Sequence, residues 1–329
     1  MSKLRAAVVG AGYLGRFHAL KYRLLPEVDL VAVVDILPER ASAVAQEAKT
    51  QAMMDFRDLL GKVDLATVAV PTTEHHRVAM GLMEAGVHVL VEKPIAATLE
   101  QAREMVNLST QRNVVLQVGH LERFNPSVKA VKERISRPLF VQCERISQYP
   151  GRGTDVDVVL DLMIHDLDLV MDFMGELPLE VEAIGVPVVT ESYDMVSARL
   201  RFPKGRVANL TASRVSAKSL RKIRVFQPDS YISADCSRGD VQVFRRLPPE
   251  SPGKLPRIVG EKLRVDAGDA LLEEVRAFVQ VVARGGSPVV DGPTALRCLE
   301  VALEVRSSVE RNVPEDVRPL LSGEGEVGR

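Results

Sequence analysis

A glycine-rich turn close to the N-terminus constrains the fold of this chain more than any other feature. Residues 10–15 read GAGYLG, the pattern G-x-G-x-x-G, and they directly follow the apolar run Leu4–Val9. Gly10 permits a tight turn, Gly12 lets a pyrophosphate approach the backbone, and Gly15 lets the next helix pack against the sheet. Because a helix N-terminus offers free N–H groups to phosphate, the turn predicts a dinucleotide site. The residues assigned to it are Gly10, Gly12, Tyr13, Leu14 and Gly15.

An acid follows the turn at the distance that a dinucleotide site requires. Asp35 lies twenty residues after Gly15, at the end of a second apolar run. A carboxylate there accepts hydrogen bonds from the adenosine ribose and repels a 2′-phosphate, so it favours NAD. Arg40 follows closely and leaves NADP open as an alternative. The alternative for the turn itself is a glycine-rich turn in another α/β fold.

Strands and helices alternate through the first 119 residues. Five apolar runs are typical of strands buried on both faces: Leu4–Val9, Asp29–Asp35, Val63–Val70, Val87–Val91 and Val114–Val118. Helical patterns lie between them, at Tyr13–Leu25, Pro38–Ala48, about Glu74–Ala85 and Thr98–Asn113. This alternation indicates βαβ units and a parallel sheet. We therefore predict an NAD-binding Rossmann domain over residues 1–119.

The pattern changes after Gly119. Longer strand patterns joined by short turns predict an antiparallel meander with one polar face; they cover Leu139–Gln148, Leu179–Val189, Ser192–Phe202, Arg206–Arg214, Lys222–Pro228, Tyr231–Ala234 and Asp240–Phe244. Helical patterns follow at Ala270–Ala283 and Thr294–Asn312. We therefore predict a second α/β domain over residues 120–329, with the helix at about 294–312 as a candidate to pack back on the first domain.

Composition excludes several classes of protein. The chain has 329 residues, 43 Lys and Arg against 44 Asp and Glu, no Trp and only 4% aromatic residues. Such a balance disfavours a nucleic-acid or membrane-surface binder, and no apolar stretch is long enough to span a membrane. Three widely separated cysteines form neither a metal-binding spacing nor a disulfide framework. With no signal peptide at the N-terminus, we expect a cytoplasmic protein without a metal.

A lysine follows the fourth predicted strand. Glu92, Lys93 and Pro94 come directly after the apolar run Val87–Val91. In an open parallel sheet, ligands bind beyond the carboxyl ends of the strands, so Lys93 is expected beside the nicotinamide end of the cofactor. A lysine there can donate a hydrogen bond to a substrate hydroxyl. The alternative is a surface lysine whose stem covers apolar surface.

An acidic helix with a histidine is the second candidate for chemistry. Residues 157–174 read DVVLDLMIHDLDLVMDFM, which is apolar apart from one polar stripe and Asp166. Such a helix is mostly buried, and buried acids need partners or a polar cavity. A histidine between carboxylates is a candidate general base, and the alternative is a solvated helix face. On an α-helix the stripe would contain Asp161, His165, Asp168 and Asp172.

The segment between the two predicted domains carries further polar residues. Residues 119–126 read GHLERFNP. Arg123 and Asn125 could bind a polar or anionic substrate, because a guanidinium group forms strong hydrogen bonds to anions. The alternative is a capping turn at the domain junction.

Charge is unevenly distributed despite the overall balance. Seven acids and no Lys or Arg lie between Asp155 and Glu176, whereas nine Lys or Arg and no acid lie between Arg199 and Arg224. The acidic run contains the helix just described. The basic run is compatible with a diphosphate-bearing substrate, but we favour a solvated or subunit-facing sheet.

Taken together, the motifs resemble those of a known family. The matching segments are AVVGAGYLGRFHA, VAVVD, VAVPTTEHHRVA, GVHVLVEKPIA, LDLMIHDLDLV and GPTALRCLEVALEV. On these segments the chain resembles the glucose–fructose oxidoreductase, inositol dehydrogenase and rhizopine-catabolism (Gfo/Idh/MocA) family over almost its whole length.

The resemblance implies a fold and a set of site residues. It implies a Rossmann domain followed by an α/β domain with a large, mostly antiparallel open sheet, which commonly forms the interface of a homo-oligomer, here a dimer or tetramer. It also implies a cis peptide bond before Pro94. The implied catalytic residues are Lys93, Asp161 and His165, and the residues near the nicotinamide are Pro71, Thr72, His75, Glu92 and Lys93.

The resemblance also implies an activity. It implies an NAD-dependent enzyme that oxidises a secondary hydroxyl of a sugar, and GHLERFNP resembles the branch that oxidises UDP-N-acetylglucosamine at C3. Open alternatives are a free-sugar or inositol dehydrogenase and a dinucleotide-sensing regulator. We favour His165 as the base, since the ordinary histidine pKa of about 6.5 lies near neutral pH, with Lys93 stabilising the oxygen. The proposed substrate-binding residues are Lys93, Arg123, Asn125, Asp161 and His165.

Overall fold

The computed structural model describes residues 3–149, 157–251, 254–266, 268–315, 317 and 321. The chain forms two compact units, which are Met1–Phe124 with Asp269–Leu299, and Asn125–Gly268 with Glu300–Arg329. The sequence prediction of one boundary after Gly119 is therefore corrected in two respects. The first unit extends to Phe124, and it also contains a segment from near the C-terminus.

The described residues form fourteen strands and eight α-helices. The strands are β1 Leu4–Val9, β2 Val28–Val34, β3 Gln51–Met53, β4 Leu65–Val68, β5 His88–Glu92, β6 Leu116–Gly119, β7 Phe140–Ile146, β8 Glu180–Val186, β9 Met195–Arg201, β10 Val207–Ser213, β11 Leu220–Phe226, β12 Ser230–Asp235, β13 Asp240–Leu247 and β14 Arg257–Arg264. The helices are α1 Tyr13–Arg23, α2 Pro38–Ala48, α3 Thr72–Glu84, α4 Leu99–Arg112, α5 Pro126–Lys132, α6 Ile164–Met174, α7 Ala270–Arg284 and α8 Gly292–Asn312.

The first unit contains a six-stranded sheet in the order β3-β2-β1-β4-β5-β6. Every strand pair in it is parallel. The chain order reverses between β1 and β4, and ligands of open α/β sheets bind at the carboxyl ends of the strands at this point. The predicted parallel sheet is confirmed, and the glycine turn, which follows β1, lies at its reversal point.

Helix α7 completes the core of the first unit. Its buried side chains Val275, Phe278 and Val279 belong to the same apolar cluster as Ala19 and Tyr22 of α1. Burying an aliphatic or aromatic side chain stabilises a fold by about 1.5–3 kcal/mol. This apolar face explains why a segment so distant in sequence belongs to the N-terminal unit.

The second unit contains an eight-stranded sheet in the order β14-β13-β12-β11-β7-β10-β9-β8. Among the described strands of this sheet, only β7 and β10 pair in parallel, and the other pairs are antiparallel. Side chains on β7 alternate, so that Val141 and Cys143 are buried while Phe140 and Gln142 are partly exposed. The predicted fold class, a Rossmann domain with a second domain on a large, mostly antiparallel sheet, is confirmed.

Two strands and one helix carried too little signal for the sequence to predict them. Strand β3 has three residues, and α5 has seven. Strand β14 is exposed along nearly its whole length, so it lacks the alternation that marks a half-buried strand. In the described part of the chain, no helix is long and apolar enough to cross a membrane.

Candidate functional site

The glycine turn has the close contacts that its motif predicts. Gly10 has a φ of 101°, and a Cβ there would lie 2.3 Å from the carbonyl oxygen of Ala69. A Cβ on Gly15 would lie 1.7 Å from the carbonyl oxygen of Gly10, so the helix can approach the turn only without a side chain. A Cβ on Gly12, by contrast, would meet no atom within 4 Å. The first and third glycines therefore serve packing, and the second faces open space.

Asp35 ties the glycine turn to the second strand. Its Oδ2 accepts a hydrogen bond of 2.7 Å from the Ala11 backbone N–H, and its Oδ1 accepts one of 2.9 Å from the Leu37 N–H. Both bonds fix the orientation of the carboxylate at the end of β2. Asp35 and Arg40 line the same cavity. The site therefore contains both the acid that favours NAD and the arginine that keeps NADP as an alternative.

A cavity of about 630 Å³ lies at the carboxyl ends of the strands of the first sheet. Its walls include Tyr13 and Leu14 at the start of α1, as well as Ile36 and Met54. The exposed fractions of Ile36 and Met54 are 81% and 54%, unusual for large apolar residues. Sequence reasoning missed these two side chains, although Ile36 directly follows the predicted acid. The walls can cover the flat faces of a planar ring.

His75 connects two loops at the carboxyl end of this sheet. Its Nε2 lies 2.9 Å from the Val70 carbonyl oxygen, and its Nδ1 lies 2.9 Å from that of Pro94. Burial lowers the pKa of His75, although its hydrogen bonds to carbonyl groups oppose that change. The ring thus fixes the turn that follows Lys93, and the Lys93–Pro94 bond is cis, as the family resemblance implied.

Glu92 lies directly before Lys93 and is buried. Its Oε1 lies 2.7 Å from Nε2 of His18, a residue of α1 that is fully buried. Burial raises the pKa of this carboxyl, but the hydrogen bond and charge of His18 and the charge of Lys93 outweigh burial and lower it. Glu92 is therefore a buried carboxylate and does not line the cavity.

These residues fit the dinucleotide that the glycine turn predicts. The open space in front of Gly12 leaves room for a pyrophosphate next to the backbone. The N-terminus of α1 follows directly and offers its first N–H groups. Asp35 lines the same cavity and is available to a ribose, and Pro71 and Glu74 line the cavity where α3 begins.

In the second unit, the helix that carries His165 is less regular than its sequence predicts. Residues Val159–Met163 form a π-helical turn, and the α-helix begins only at Ile164. The expectation of one α-helical stripe over residues 157–174 is therefore corrected, since Asp161 lies on the π-helical turn and His165 on α6. The apolar residues around them fit both helical periods, so the sequence carried no signal for the wider turn. Single π-helical turns occur frequently at functional sites.

The other acids of this helix have structural partners. Asp166, which is 3% exposed, forms two hydrogen bonds to the guanidinium group of Arg145 at 3.1 and 2.8 Å. Asp172 lies 2.6 Å from Lys132 of α5. Asp168 is buried, and Asp155 of the acidic run lies outside the described residues. Arg145 thus fixes α6 through the residue directly after His165.

The junction residues have different environments. Asn125 begins the second unit and caps α5, because its Oδ1 accepts a hydrogen bond of 2.9 Å from the Ser127 N–H. Its Nδ2 lies 3.4 Å from the Cys236 carbonyl oxygen. Arg123 belongs to the first unit and is partly exposed. The capping alternative is therefore observed for Asn125.

Much of the basic run pairs with acids of the same unit. Arg201, Arg206 and Arg224 pair with Glu180, Glu176 and Glu144, respectively. Arg214 is 1% exposed and donates a hydrogen bond of 2.9 Å to Asp194. Burial raises the pKa of Asp194, but backbone N–H groups of residues 188–190 and Arg214 outweigh burial and lower the pKa to about 2. These ion pairs account for the basic run without requiring an anionic ligand.

The predicted catalytic residues are divided between the two units. Lys93 belongs to the first unit, whereas Asp161 and His165 belong to the second. The cofactor-side residues are all in the first unit, and the structure brings Asp35, Pro71 and the glycine turn together around one cavity.

Comparison with known families identifies both parts of the chain. The oxidoreductase family with an NAD-binding Rossmann fold, Gfo/Idh/MocA, matches residues 4–120. The C-terminal domain of the same family matches residues 134–233.

Comparison with individual proteins gives a similarity over nearly the full length. The chain is 37% identical to UDP-N-acetylglucosamine 3-dehydrogenase of Acidithiobacillus ferrooxidans, covering 94% of this chain and 98% of that protein. It is 26% identical to myo-inositol 2-dehydrogenase of Thermotoga maritima, covering 93% and 96%. The solved structure of the Acidithiobacillus enzyme superposes with a TM-score of 0.88 at 36% identity, covering 94% and 99%. Scyllo-inositol dehydrogenase of Lactobacillus casei with bound NAD(H) shares the fold, with a TM-score of 0.80 at 20% identity, covering 94% and 98%.

Proposed function

The chain belongs to the Gfo/Idh/MocA family of NAD-dependent oxidoreductases, and we propose that it oxidises the C3 hydroxyl of UDP-N-acetylglucosamine. The family acts on CH–OH groups of sugars and inositols, so the chain is an NAD-dependent sugar dehydrogenase. The substrate proposal depends on one observation. Identity to the UDP-N-acetylglucosamine enzyme is 37% over almost the whole of both chains, against 26% for an inositol dehydrogenase.

We propose separate roles for three catalytic residues. Bound NAD supplies the hydride acceptor. His165 removes the hydroxyl proton, and Asp161, one helical turn earlier, orients the ring and stabilises its charged form. Lys93 donates a hydrogen bond to the substrate oxygen, where negative charge develops. Arg123 is proposed to contact the diphosphate, and Asn125 to hold the turn next to it through its helix cap.

The cofactor contacts that we propose lie in the first unit. The glycine turn and the N-terminus of α1 hold the pyrophosphate, Asp35 holds the adenosine ribose, and Pro71, Thr72 and His75 shape the nicotinamide end. The apolar walls at Tyr13, Leu14, Ile36 and Met54 are proposed to cover the adenine ring.

An assay of NADH formation tests this function. Purified protein is incubated with NAD and either UDP-N-acetylglucosamine or myo-inositol, and the products are identified by mass spectrometry. We expect NADH and a 3-keto nucleotide sugar with the first substrate only. Turnover of myo-inositol alone would replace the substrate proposal with the inositol alternative. NAD binding without turnover of any sugar would favour a dinucleotide-sensing regulator.

Matched variants test the proposed roles. General acid–base catalysis contributes about 10²–10⁴-fold, and one hydrogen-bond donor to a developing negative charge about 10²–10³-fold. Lys93→Met and His165→Ala should therefore each lower kcat by at least about 100-fold. Lys62→Met and His76→Ala are controls of the same residue types, since Lys62 is exposed and His76 pairs with Glu104. If the two catalytic variants kept kcat within a few-fold of the controls, the assignment would be wrong.

We further propose that the protein forms a homo-oligomer through the open face of the second sheet. Four aromatic side chains, Phe140, Phe226, Tyr231 and Phe244, lie opposite one another on β7, β11, β12 and β13, with ring centroids 4.7–6.0 Å apart. Large exposed apolar patches commonly mark protein–protein contacts. Phe226→Asp should lower the mass measured by light scattering, whereas Leu24→Asp, at an exposed site in the first unit, should not.

The cellular compartment is proposed from the thiols. Cys143, Cys236 and Cys298 form no disulfide in the part of the chain that the structure describes, and Cys143 and Cys298 are buried. Cysteines that are not joined in disulfides are typical of a reducing compartment, so we propose the cytoplasm.

A further inference from the structure

Three titratable side chains meet in the interior of the first unit, behind the turn that carries Lys93. They are His18 of α1, Glu92 at the end of β5 and Glu274 of α7. One nitrogen or oxygen of each side chain lies within 4.8 Å of one atom of each of the other two, and all three residues are buried. Glu92 and His18 are hydrogen-bonded, as described above, whereas Glu274 comes from a segment that sequence analysis assigned to the other domain.

Glu274 is in an unusual position for an acid. It is 0% exposed, and neither carboxyl oxygen has a hydrogen-bond partner among the residues that the structure describes. Its backbone carbonyl accepts a hydrogen bond of 3.3 Å from Nε2 of Gln117. An isolated carboxylate in such a place carries a large desolvation penalty, which a protonated carboxyl avoids.

Glu92 adds a second reason for protonation. The two carboxyls lie close together, and carboxylates that share a buried site do not both ionise readily. Oε1 of Glu92 is hydrogen-bonded to His18. Oε2 of Glu92 lies so close to Gly119 that a Cβ on that glycine would be 3.1 Å away. The negative charge is therefore better stabilised on Glu92 than on Glu274.

We propose that Glu274 is a buried proton-binding group that, through Glu92 and His18, sets the charge next to Lys93. Glu274 holds the proton, Glu92 holds the single negative charge, and Lys93 follows Glu92 in the chain. In this arrangement Glu274 is a positioning residue. The effect of Glu274 on Lys93 rests on the proposed function, whereas the protonation of Glu274 is independent of it.

The pKa directions agree with this assignment. Burial and, secondarily, the charge of Glu92 raise the pKa of Glu274 well above its ordinary value. An acid with a raised pKa stabilises the fold fully below its ordinary pKa, and this contribution is lost as pH rises toward the folded-state value. Helix α7 packs against α1 and against the turn Leu121–Phe124. The titratable and charged groups on these elements are Tyr13, Arg16, His18, Lys21, Tyr22, Arg23, Glu122, Arg123, Glu273, Arg276 and Arg284, with Asp269 at the start of α7 and Glu92 and Lys93 at the end of β5.

A comparison of melting temperatures across pH tests the proton. Glu274→Gln keeps the size of the side chain but cannot ionise, and Glu273→Gln is the matched control, since Glu273 pairs with Arg276 at the surface. Between about pH 5.5 and pH 9, we expect the melting temperature of Glu274→Gln minus that of the wild type to rise by at least about 2 °C. The control difference should stay constant.

Two outcomes would overturn the proton assignment. One is a Glu274→Gln difference as flat as that of the control. The other is a chelator that lowers the wild-type melting temperature but not that of Glu274→Gln, because the three side chains would then hold a cation. Should Glu274→Gln fail to fold, Glu274→Met removes the same ionisation and is measured in the same way.

The pH profile of kcat tests the effect on Lys93. Ionisation of Glu274 would place a second negative charge beside Glu92, so the alkaline change in the wild-type profile should be displaced in Glu274→Gln by at least about half a pH unit. If the kcat profiles of the wild type and Glu274→Gln coincided while their melting-temperature difference still changed with pH, only the positioning role would be overturned. If no variant or wild type turned over any sugar, the proposed function would fail while the stability result stood.

Discussion

Replacing Asp35 with asparagine tests the cofactor side of the site in detail. The carboxylate accepts hydrogen bonds from the backbone N–H groups of Ala11 and Leu37, one on each oxygen. An asparagine has a single acceptor oxygen, so its amide group must face one of the two N–H groups. The variant keeps the size of the side chain but loses the negative charge and one of these bonds.

The magnitude follows from the hydrogen bond that the Asp35 carboxylate is proposed to accept from the adenosine ribose. A hydrogen bond to a charged group contributes about 1.5–3 kcal/mol, so kcat/KM for NAD should fall by about 10- to 150-fold. For NADP, removal of a unit charge about 5 Å from the 2′-phosphate relieves a repulsion of about 3 kcal/mol at an effective dielectric constant of 20. The NAD-to-NADP ratio of kcat/KM should therefore fall by at least about 100-fold. Arg40 lines the same cavity and is available to the phosphate.

Initial rates with each cofactor at saturating sugar nucleotide give this ratio. Asp29→Asn is the matched control, because Asp29 is an exposed aspartate on β2, the strand that Asp35 directly follows. Melting temperatures show whether the variant keeps its fold. A ratio within about threefold of the wild type, in a folded Asp35→Asn variant, would refute the assignment of Asp35 to the ribose.

Three further substitutions test stability. The lowered pKa of Asp194 stabilises the fold fully at pH values above the ordinary pKa of an aspartate, and this stabilisation is lost as pH falls toward about 2. Between about pH 5 and pH 2, the wild type should therefore lose about 2 kcal/mol of unfolding free energy that an Asp194→Asn variant does not lose. Urea unfolding at each pH measures this difference. Gly15→Ala should cost at least about 1–3 kcal/mol, since its Cβ would overlap a backbone carbonyl, and unchanged thermal stability would contradict the contact. Arg145→Met should cost about 3–5 kcal/mol because it removes the ion-pair partner of a buried carboxylate, Asp166. The double variant Arg145→Met/Asp166→Leu should recover most of that loss in the same unfolding assay.

The glycine turn could be predicted because its constraints are local. The strand, turn, helix and acid all lie within residues 4–35, and the structure brings that segment to one cavity. The apolar walls at Ile36 and Met54 could not be predicted, since an exposed apolar side chain has no signature until the surface around it is known to be concave. Strand order in both sheets likewise depends on pairings between distant segments.

Buried charge was the least predictable property. Glu273 and Glu274 are adjacent and chemically identical, yet one pairs at the surface and the other is fully buried. The basic run is a second case. Its cations favoured a solvated or subunit-facing sheet, with an anionic ligand as the alternative, whereas Arg214 is buried with an acid as its partner. In both cases the environment of the charge depends on packing between segments that are distant in sequence, which a local sequence pattern does not predict.

The split composition of the first unit has a consequence for synthesis on the ribosome. Helix α7 buries its apolar face against α1, but 144 residues separate the two segments of that unit. At about 5–20 residues per second, some 7–30 s pass after the first segment is made before α7 follows. Throughout that interval the apolar side chains of α1 that α7 later covers remain exposed, and chaperones bind surfaces of this type.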